Sequence, residues 1–404
     1  MSGLGPSDIA AARGRIAPHV LRTPLVRSHT LSLMTGAEIR LKCENLQKTG
    51  SFKARGALNR ILGLSVAERR RGVVAASAGN HAQGVAYAAA IAGAKATVVM
   101  PTSAAIAKVE ATRGYGAEIA LAGADYAAAF RHATELARRR RATLIHAFDD
   151  EGVIAGQGTV GLEILEELPD VDVIVVPVGG GGLAAGMVAA AANARAQVIG
   201  AQAALASTLG PSLRVGRRVH AVPEPTLADG LATSSIGKRP WRVLRRELQR
   251  AVTVSEAEIA AAILLLLERA KLVVEGAAAT ALAACLGPLR RAIAGRKVVV
   301  VLSGGNIDVN VLDRILNLGL AAQGRVFRFA TVVTDRPGAL SALAAVISEA
   351  GANIKHIQHD RGRLGIGVLE TMVTVELETR GRAHVPEITT RLRDAGYRVL
   401  SENG

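Results

Sequence analysis

Aromatic residues are scarce in this chain of 404 residues, where five Phe, four Tyr and one Trp amount to 2%. Proteins that hold single-stranded nucleic acid stack its bases on aromatic faces, and such platforms are nearly absent here. The excess of basic residues does not reverse that expectation. Lys and Arg number 49 against 34 Asp and Glu, a net charge of +15, and a basic surface attracts polyanions. The arginines are, however, spread through alanine-rich stretches at helical spacing, with one dense run from Arg138 to Arg141. They read as solvated helix faces, and no nucleic-acid partner is expected.

Cysteine is equally sparse. Cys43 and Cys285 are too few for a disulfide framework and suit a reducing, cytoplasmic setting. Long apolar runs are missing too, since stretches such as 263–267 and 298–302 fall far short of the roughly 18 residues that a membrane span needs. No membrane partner is expected. Asp8, Arg13 and Arg15 stand among alanines near the N-terminus with no apolar core, so no secretory signal is expected either.

What the chain has is hydrophobic content, 50% of residues, and a mean hydropathy of +0.27. Its length exceeds twice the usual domain size of ~150 residues, so more than one domain is expected. Between residues 70 and 200, short β-branched runs at 73–75, 95–100, 117–121, 143–147 and 173–177 alternate with helix-like segments, which predicts parallel α/β layers. A further strand at 298–302 runs into Ser303-Gly304-Gly305-Asn306, a polar glycine turn at a strand's carboxyl end, where such sheets collect ligands. Beyond residue 320 the order changes: strand 326–333, helix 337–350, strands 353–359 and 368–378, helix 385–395 and strand 397–400. That βαββαβ order predicts a ferredoxin-like unit after a linker at 320–325.

Three glycine-rich junctions carry the chemistry. Gly179-Gly180-Gly181-Gly182-Leu183 follows a strand and can turn several backbone N–H groups toward one anion at a helix start. It has neither the Lys-Ser/Thr of a P-loop nor a spaced G-x-G-x-x-G. Ser77-Ala78-Gly79-Asn80-His81-Ala82-Gln83-Gly84 supplies amides at another strand-to-helix junction, and Lys53 lies within Ser51-Phe52-Lys53-Ala54-Arg55-Gly56-Ala57.

Together, and in this order, these motifs and Ser303–Asn306 resemble the threonine ammonia-lyase branch of the fold type II pyridoxal-phosphate enzymes, over residues 5–320. The tail resembles an ACT-type regulatory domain through Asp335-Arg336-Pro337-Gly338-Ala339-Leu340 and Gly351-Ala352-Asn353-Ile354. The resemblance implies a catalytic domain over 1–320, with a smaller subdomain at about 45–150, and a regulatory domain over 326–404. It implies pyridoxal 5'-phosphate as cofactor, no metal, an amino-acid substrate and effector, and a homotetramer or homodimer.

Residue by residue, it implies that Lys53 holds the cofactor covalently and removes the Cα proton. Gly179, Gly180, Gly181, Gly182 and Leu183 hold the phosphate, Asn80 meets the phenolic oxygen, Ser303 meets the ring nitrogen and Phe52 packs near the ring. Ser77, Gly79 and His81 line the substrate carboxylate site, with Asp229 and Glu275 in support. Serine racemases of this fold carry a second serine where Ala78 stands and acidic metal ligands after the strand that here contains Gln202, which argues against both racemisation and a divalent site. Asp335, Gly338, Ala339, Leu340 and Asn353 are the effector candidates. Two alternatives stay open: a dehydratase for another 3-hydroxy amino acid or a serine racemase-like enzyme, and a catalytically inactive amino-acid sensor.

Overall fold

The computed structural model describes residues 4–248, 250–363 and 365–401. They divide into two compact units, Met1–Ile307 and Asp308–Gly404.

The first unit contains two sheets. β1 (Leu25–Arg27), β2 (Glu38–Cys43), β7 (Val173–Pro177), β8 (Gln197–Ala203), β9 (Arg250–Val254) and β10 (Lys297–Leu302) form one sheet in the order β1-β2-β10-β7-β8-β9. All its pairings are parallel except that of β1 with β2. β3 (Val73–Ala76), β4 (Ala96–Met100), β5 (Glu118–Leu121) and β6 (Thr143–Leu144) form a parallel sheet in the order β5-β4-β3-β6. β3, β4, β7 and the interior of β10 are buried throughout, as expected of β-branched runs covered on both faces by helices. In both sheets the carboxyl ends of central strands feed directly into glycine turns.

The second unit is antiparallel. β11 (Val326–Thr334), β12 (Asn353–Asp360), β13 (Glu370–Glu378) and β14 (Leu400–Ser401) lie in the order β12-β13-β11-β14. Helices Ala339–Glu349 and His384–Asp394 cover one face through a core of Phe329, Leu343, Val375, Ile388 and neighbours.

Several boundaries differ from the sequence expectation for local reasons. The run 143–147 pairs only at Thr143 and Leu144, because the His146 Nδ1 accepts the backbone N–H groups of Phe148 and Asp149 at 3.2 and 3.0 Å and turns the chain away. Val368 and Leu369 are solvent-exposed, and β13 begins after them at Glu370. Tyr397 donates its N–H back to Leu392 in the turn around Gly396, which delays the last strand to Leu400. Gly338, at φ +88°, caps the helix that opens at Ala339, so Pro337 stands outside that helix. Among the described residues no helix is long and apolar enough to cross a membrane.

Candidate active site

A cavity of about 750 Å³ opens within the first unit. Phe52, Lys53, Ser77, Gly79, Asn80, His81, Gly179 to Leu183 and Ser303 all line it, so every residue expected at the catalytic site borders one space. Asp229 and Glu275 line it as well.

Lys53 opens the helix Lys53–Leu62 and borders the cavity. Its Nζ donates to the carbonyl of Ala147 at 3.0 Å and stands 5.2 Å from the Phe52 ring centre. Burial makes the charged form costly and pushes Lys53 down to about 8, the Glu275 charge opposing the shift. The helix is anchored two residues on by Arg55, whose fully buried guanidinium meets Glu44 at 2.8 Å and Glu163 at 2.6 Å. Lys42, equally buried, meets Glu163 at 2.6 Å. Each charge in this cluster is compensated, which is the condition for ions to survive burial.

The tetraglycine runs from β7 into the helix Gly182–Ala190, with Gly181 as its cap at φ +90°. Side chains are excluded by the packing: a Cβ on Gly180 would lie 2.4 Å from the Phe148 ring, and one on Gly179 or Gly182 would meet a neighbour at 3.0 Å. The result is bare backbone at a helix start, a donor set suited to a phosphate.

Gly79 caps the helix Asn80–Ile91 on the other side, and its N–H donates to the Ser77 hydroxyl at 3.2 Å. His81 Nε2 lies 3.0 Å from the carbonyl of Ile145 and therefore carries the hydrogen. Burial first, and the Lys53 charge second, push His81 down to about 3, so the ring is neutral. Its Nδ1 is buried without a partner. Gln157, which also lines the cavity, uses its Oε1 to accept from Gly56 N at 3.1 Å and leaves a buried Nε2 unpaired. Ser303 is buried, and its carbonyl accepts the N–H of Phe52 at 3.1 Å.

These features fit the expected cofactor. A buried amine with a lowered pKa suits an aldehyde, the bare glycine backbone suits a phosphate, and one unpaired donor, Gln157 Nε2, and one unpaired acceptor, His81 Nδ1, remain. Sequence reasoning passed over Lys108, which pairs with Asp229 at 3.0 Å, and over Phe148 and Gln157. It passed over the Asn306 side chain too, although that residue ended a quoted motif. Gln202 is buried and spends its amide on Val178 O and Leu209 N, at 3.0 and 2.8 Å.

The effector candidates fall into two groups. Asp335 opens the turn after β11, where Arg361 grips its carboxylate at 2.8 and 3.1 Å, and Gly338, Ala339 and Leu340 follow at the helix start. Asn353 opens β12, opposite Glu378, which in turn faces Val326 at the far end of β11. Nine residue steps along β11 separate Val326 from Asp335, about 30 Å at the usual rise. A single effector site built from both groups is therefore not assembled within one chain, because the helix between β11 and β12 returns the chain to the opposite end of the sheet.

Comparison with known proteins bears on the same residues. The family of pyridoxal-phosphate dependent enzymes matches residues 16–304, and the ACT domain matches residues 329–396. The chain is 48% identical to the L-threonine ammonia-lyase of Thermotoga maritima over 394 residues, 97% of this chain and 98% of that protein. Threonine deaminase isoform 2 from Solanum lycopersicum has a similar structure, with a TM-score of 0.75 and 33% identity over 78% of this chain and 90% of that one. So does serine racemase from Dictyostelium discoideum, with a TM-score of 0.72 and 37% identity over 76% of this chain and all of that one. The chain belongs to the fold type II pyridoxal-phosphate dependent enzymes, on their threonine ammonia-lyase branch, and its residues 329–396 are an ACT domain.

Proposed function

We propose that the protein is a pyridoxal-phosphate-dependent threonine ammonia-lyase that converts L-threonine to 2-oxobutanoate and ammonia, and L-serine to pyruvate. One observation carries the reading: Lys53 presents a buried amine, pushed down to about 8, to a cavity that glycine-rich backbone and Ser303 also line.

The bound cofactor supplies an electron sink for the bond electrons released at Cα. Lys53 Nζ would hold it covalently until the substrate amine displaced it, and the freed amine, whose lowered pKa of about 8 makes the neutral form accessible, would then take the Cα proton. Gly179 to Gly182 and Leu183 hold the phosphate with backbone N–H groups already in place, so no reorganisation is needed at binding. Asn80 donates to the phenolic oxygen and Phe52 borders the ring. Ser303 offers a hydroxyl to the ring nitrogen; unlike a carboxylate, it does not keep that nitrogen protonated, which favours loss of a β-hydroxyl over transamination. The Ser77 hydroxyl and the backbone N–H groups of Gly79 and His81 receive the substrate carboxylate at the start of the helix Asn80–Ile91, the neutral His81 ring adding no charge of its own.

Ala78 supports elimination over racemisation, since it places no hydroxyl at its position in the Ser77–Gly84 loop. The similarity to serine racemase keeps racemisation as the second reading, and Ala78→Ser is expected to add D-serine formation to dehydration. Residues 1–320 serve as the catalytic domain, with the smaller subdomain at about 45–150, and 326–404 as the regulatory domain. The latter responds to a branched-chain amino acid through the turn at Asp335, Gly338, Ala339 and Leu340, with Asn353 as a separate contact. We place the protein in the cytoplasm as a homotetramer or homodimer. The test is deamination of L-threonine followed through 2-oxobutanoate, with chiral analysis of unreacted serine. A cofactor-loaded protein that releases no 2-oxo acid from either substrate defeats the proposal.

A further inference from the structure

Asn80, Glu275 and Asn306 meet on the cavity wall from three separate elements: the first residue of helix Asn80–Ile91, the cap of helix Gly276–Leu286 and the turn after β10. Asn80 Nδ2 lies 2.9 Å from both oxygens of the Glu275 carboxylate. Its Oδ1 accepts from Asn306 Nδ2 at 2.8 Å, and that same Nδ2 donates to the carbonyl of Thr49 at 2.7 Å.

The polarity of this chain of bonds has one solution. A backbone carbonyl takes only donors, so Thr49 dictates which end of the Asn306 amide carries hydrogen. Asn306 then dictates that Asn80 turns its oxygen toward it, and Glu275 demands a donor from the other end. Rotating the Asn80 amide by half a turn would set oxygen against carboxylate and NH₂ against NH₂, losing both contacts at once.

Two glycines make room for the arrangement. A Cβ on Gly304 would lie 2.5 Å from Glu275 Oε1 and 3.1 Å from Asn80 Nδ2. One on Gly50, at φ +69°, would lie 2.4 Å from Asn306 Oδ1. The backbone is stitched alongside, with Glu275 N donating to Gly304 O at 3.1 Å and Gly305 N to Gly50 O at 2.9 Å.

We propose that Asn306 and Glu275 are positioning residues that lock the amide of Asn80 in the orientation that leaves an N–H for the cofactor's phenolic oxygen; the proposal rests on the assignment of Asn80 made above. Unlocked, the amide is free to present its oxygen to that oxygen instead, which repels where the locked form binds. Burial pushes Glu275 up to about 7 while the bond from Asn80 holds it down. The Asn306 contact does not depend on that charge, and a protonated Glu275 still offers an acceptor oxygen to the Asn80 N–H.

The test is a double-mutant cycle on pyridoxal-phosphate affinity, measured by titrating the cofactor into apo-protein. Asn306→Ala is expected to weaken binding about tenfold when Asn80 is present, the worth of one hydrogen bond of roughly average strength. In the Asn80→Ala background the same change is expected to matter by no more than about twofold, because it acts only through Asn80. The pH midpoint of the bound cofactor's visible band is expected to move with Asn306→Ala and to stay put when Asn80 is already alanine. Equal losses in both backgrounds, or no loss with Asn80 present, overturn the proposal.

A second arm uses Glu275, whose change to Gln keeps an acceptor for Asn80 while its change to Ala does not. Glu275→Gln is expected to bind the cofactor within about threefold of wild type and Glu275→Ala about tenfold more weakly; equal losses overturn the Glu275 half. Thermal melting of each apo-protein confirms folding, and Asn306→Ser stands in should Asn306→Ala unfold. Wild-type protein that takes up no cofactor defeats the proposed function itself, whereas a cofactor-binding wild type with additive losses defeats only this lock.

Discussion

The catalytic cavity and the turn around Asp335 both hold ionic side chains, and they hold them in opposite ways. Arg55 is wholly buried and satisfied on every side by Glu44, Glu163, Thr159 and the carbonyl of Leu21. Arg361 grips Asp335 just as squarely, yet its side chain is 69% exposed. One arrangement fixes a helix whose first residue is the buried lysine of the cavity, so that movement would displace its amine. The other sits on the surface, at the turn proposed to meet an effector. The buried ions are compensated by fixed partners, whereas the exposed pair is already screened by water.

The largest effect expected from that contrast falls on Lys53. Lys53→Ala is expected to abolish the borohydride-fixable cofactor bond and to lower threonine deamination by about a thousandfold or more, since covalent partner and base are lost together. Retention of more than about a tenth of the rate, the loss of a single ordinary contact, is the result that would remove Lys53 from the centre of the site.

Next come the two arginines. Arg55→Met leaves Glu44 and Glu163 facing each other in the interior with Lys42 as their remaining cation, and breaking a buried pair in this way costs about 3–5 kcal/mol. A matching fall in stability is expected in denaturant unfolding. Arg361→Ala is expected to leave the unfolding midpoint where it is, as most exposed pairs do. Similar shifts from the two substitutions would erase the distinction drawn between them.

How much of this was legible in the sequence follows the same division. The cavity was readable because its parts are local motifs: the glycines and the serine stand at the ends of strands that declare themselves by β-branched residues, and the lysine opens a helix within a motif of its own. Strand β2 was not, since Glu-Ile-Arg-Leu-Lys-Cys carries a charge at every other position and yet lies inside the sheet. Lys42 is tolerated there because Glu163, on a helix far along the chain, and the carbonyl of Thr23 both reach it at 2.6 Å. The lock on Asn80 was hidden for the same reason, its three side chains coming from residues 80, 275 and 306. In the second unit the strand order was readable, but the pairing register that sends Asn353 and Asp335 to opposite ends of the sheet was not. Turn residues such as Gly338 shift an element's start by one or two positions, which is beyond what periodicity resolves.

A smaller effect sharpens the picture of the prepared site. Only the neutral amine attacks an aldehyde, and burial lowers Lys53 from 10.5 to about 8. Covalent uptake of the cofactor by apo-protein is therefore expected to rise about tenfold per pH unit up to that value and to level off above it. Between pH 8 and 10.5 the unfolded chain binds the proton that folded Lys53 has released, so Lys53 makes the apo-protein more stable as pH rises across that window. An uptake rate still climbing steadily at pH 10 would mean that Lys53 behaves as a solvated surface lysine.

The smallest effects are expected in the second unit, and they bear on whether one chain is enough for sensing. Isoleucine or valine is expected to change activity or melting temperature through a coupling of about 1–3 kcal/mol. Asp335→Ala and Asn353→Ala are each expected to weaken that response modestly. The informative quantity is how the two losses combine. Within one chain the residues lie at opposite ends of a sheet, about 30 Å apart, and substitutions that far apart with no shared partner add. Additive losses of effector response, read from the ligand-induced melting shift of the two single variants and the double, are the expected outcome. A double variant no worse than the poorer single would show that both residues touch the same ligand. Since one chain keeps them apart, that ligand would have to be held between two copies of the protein.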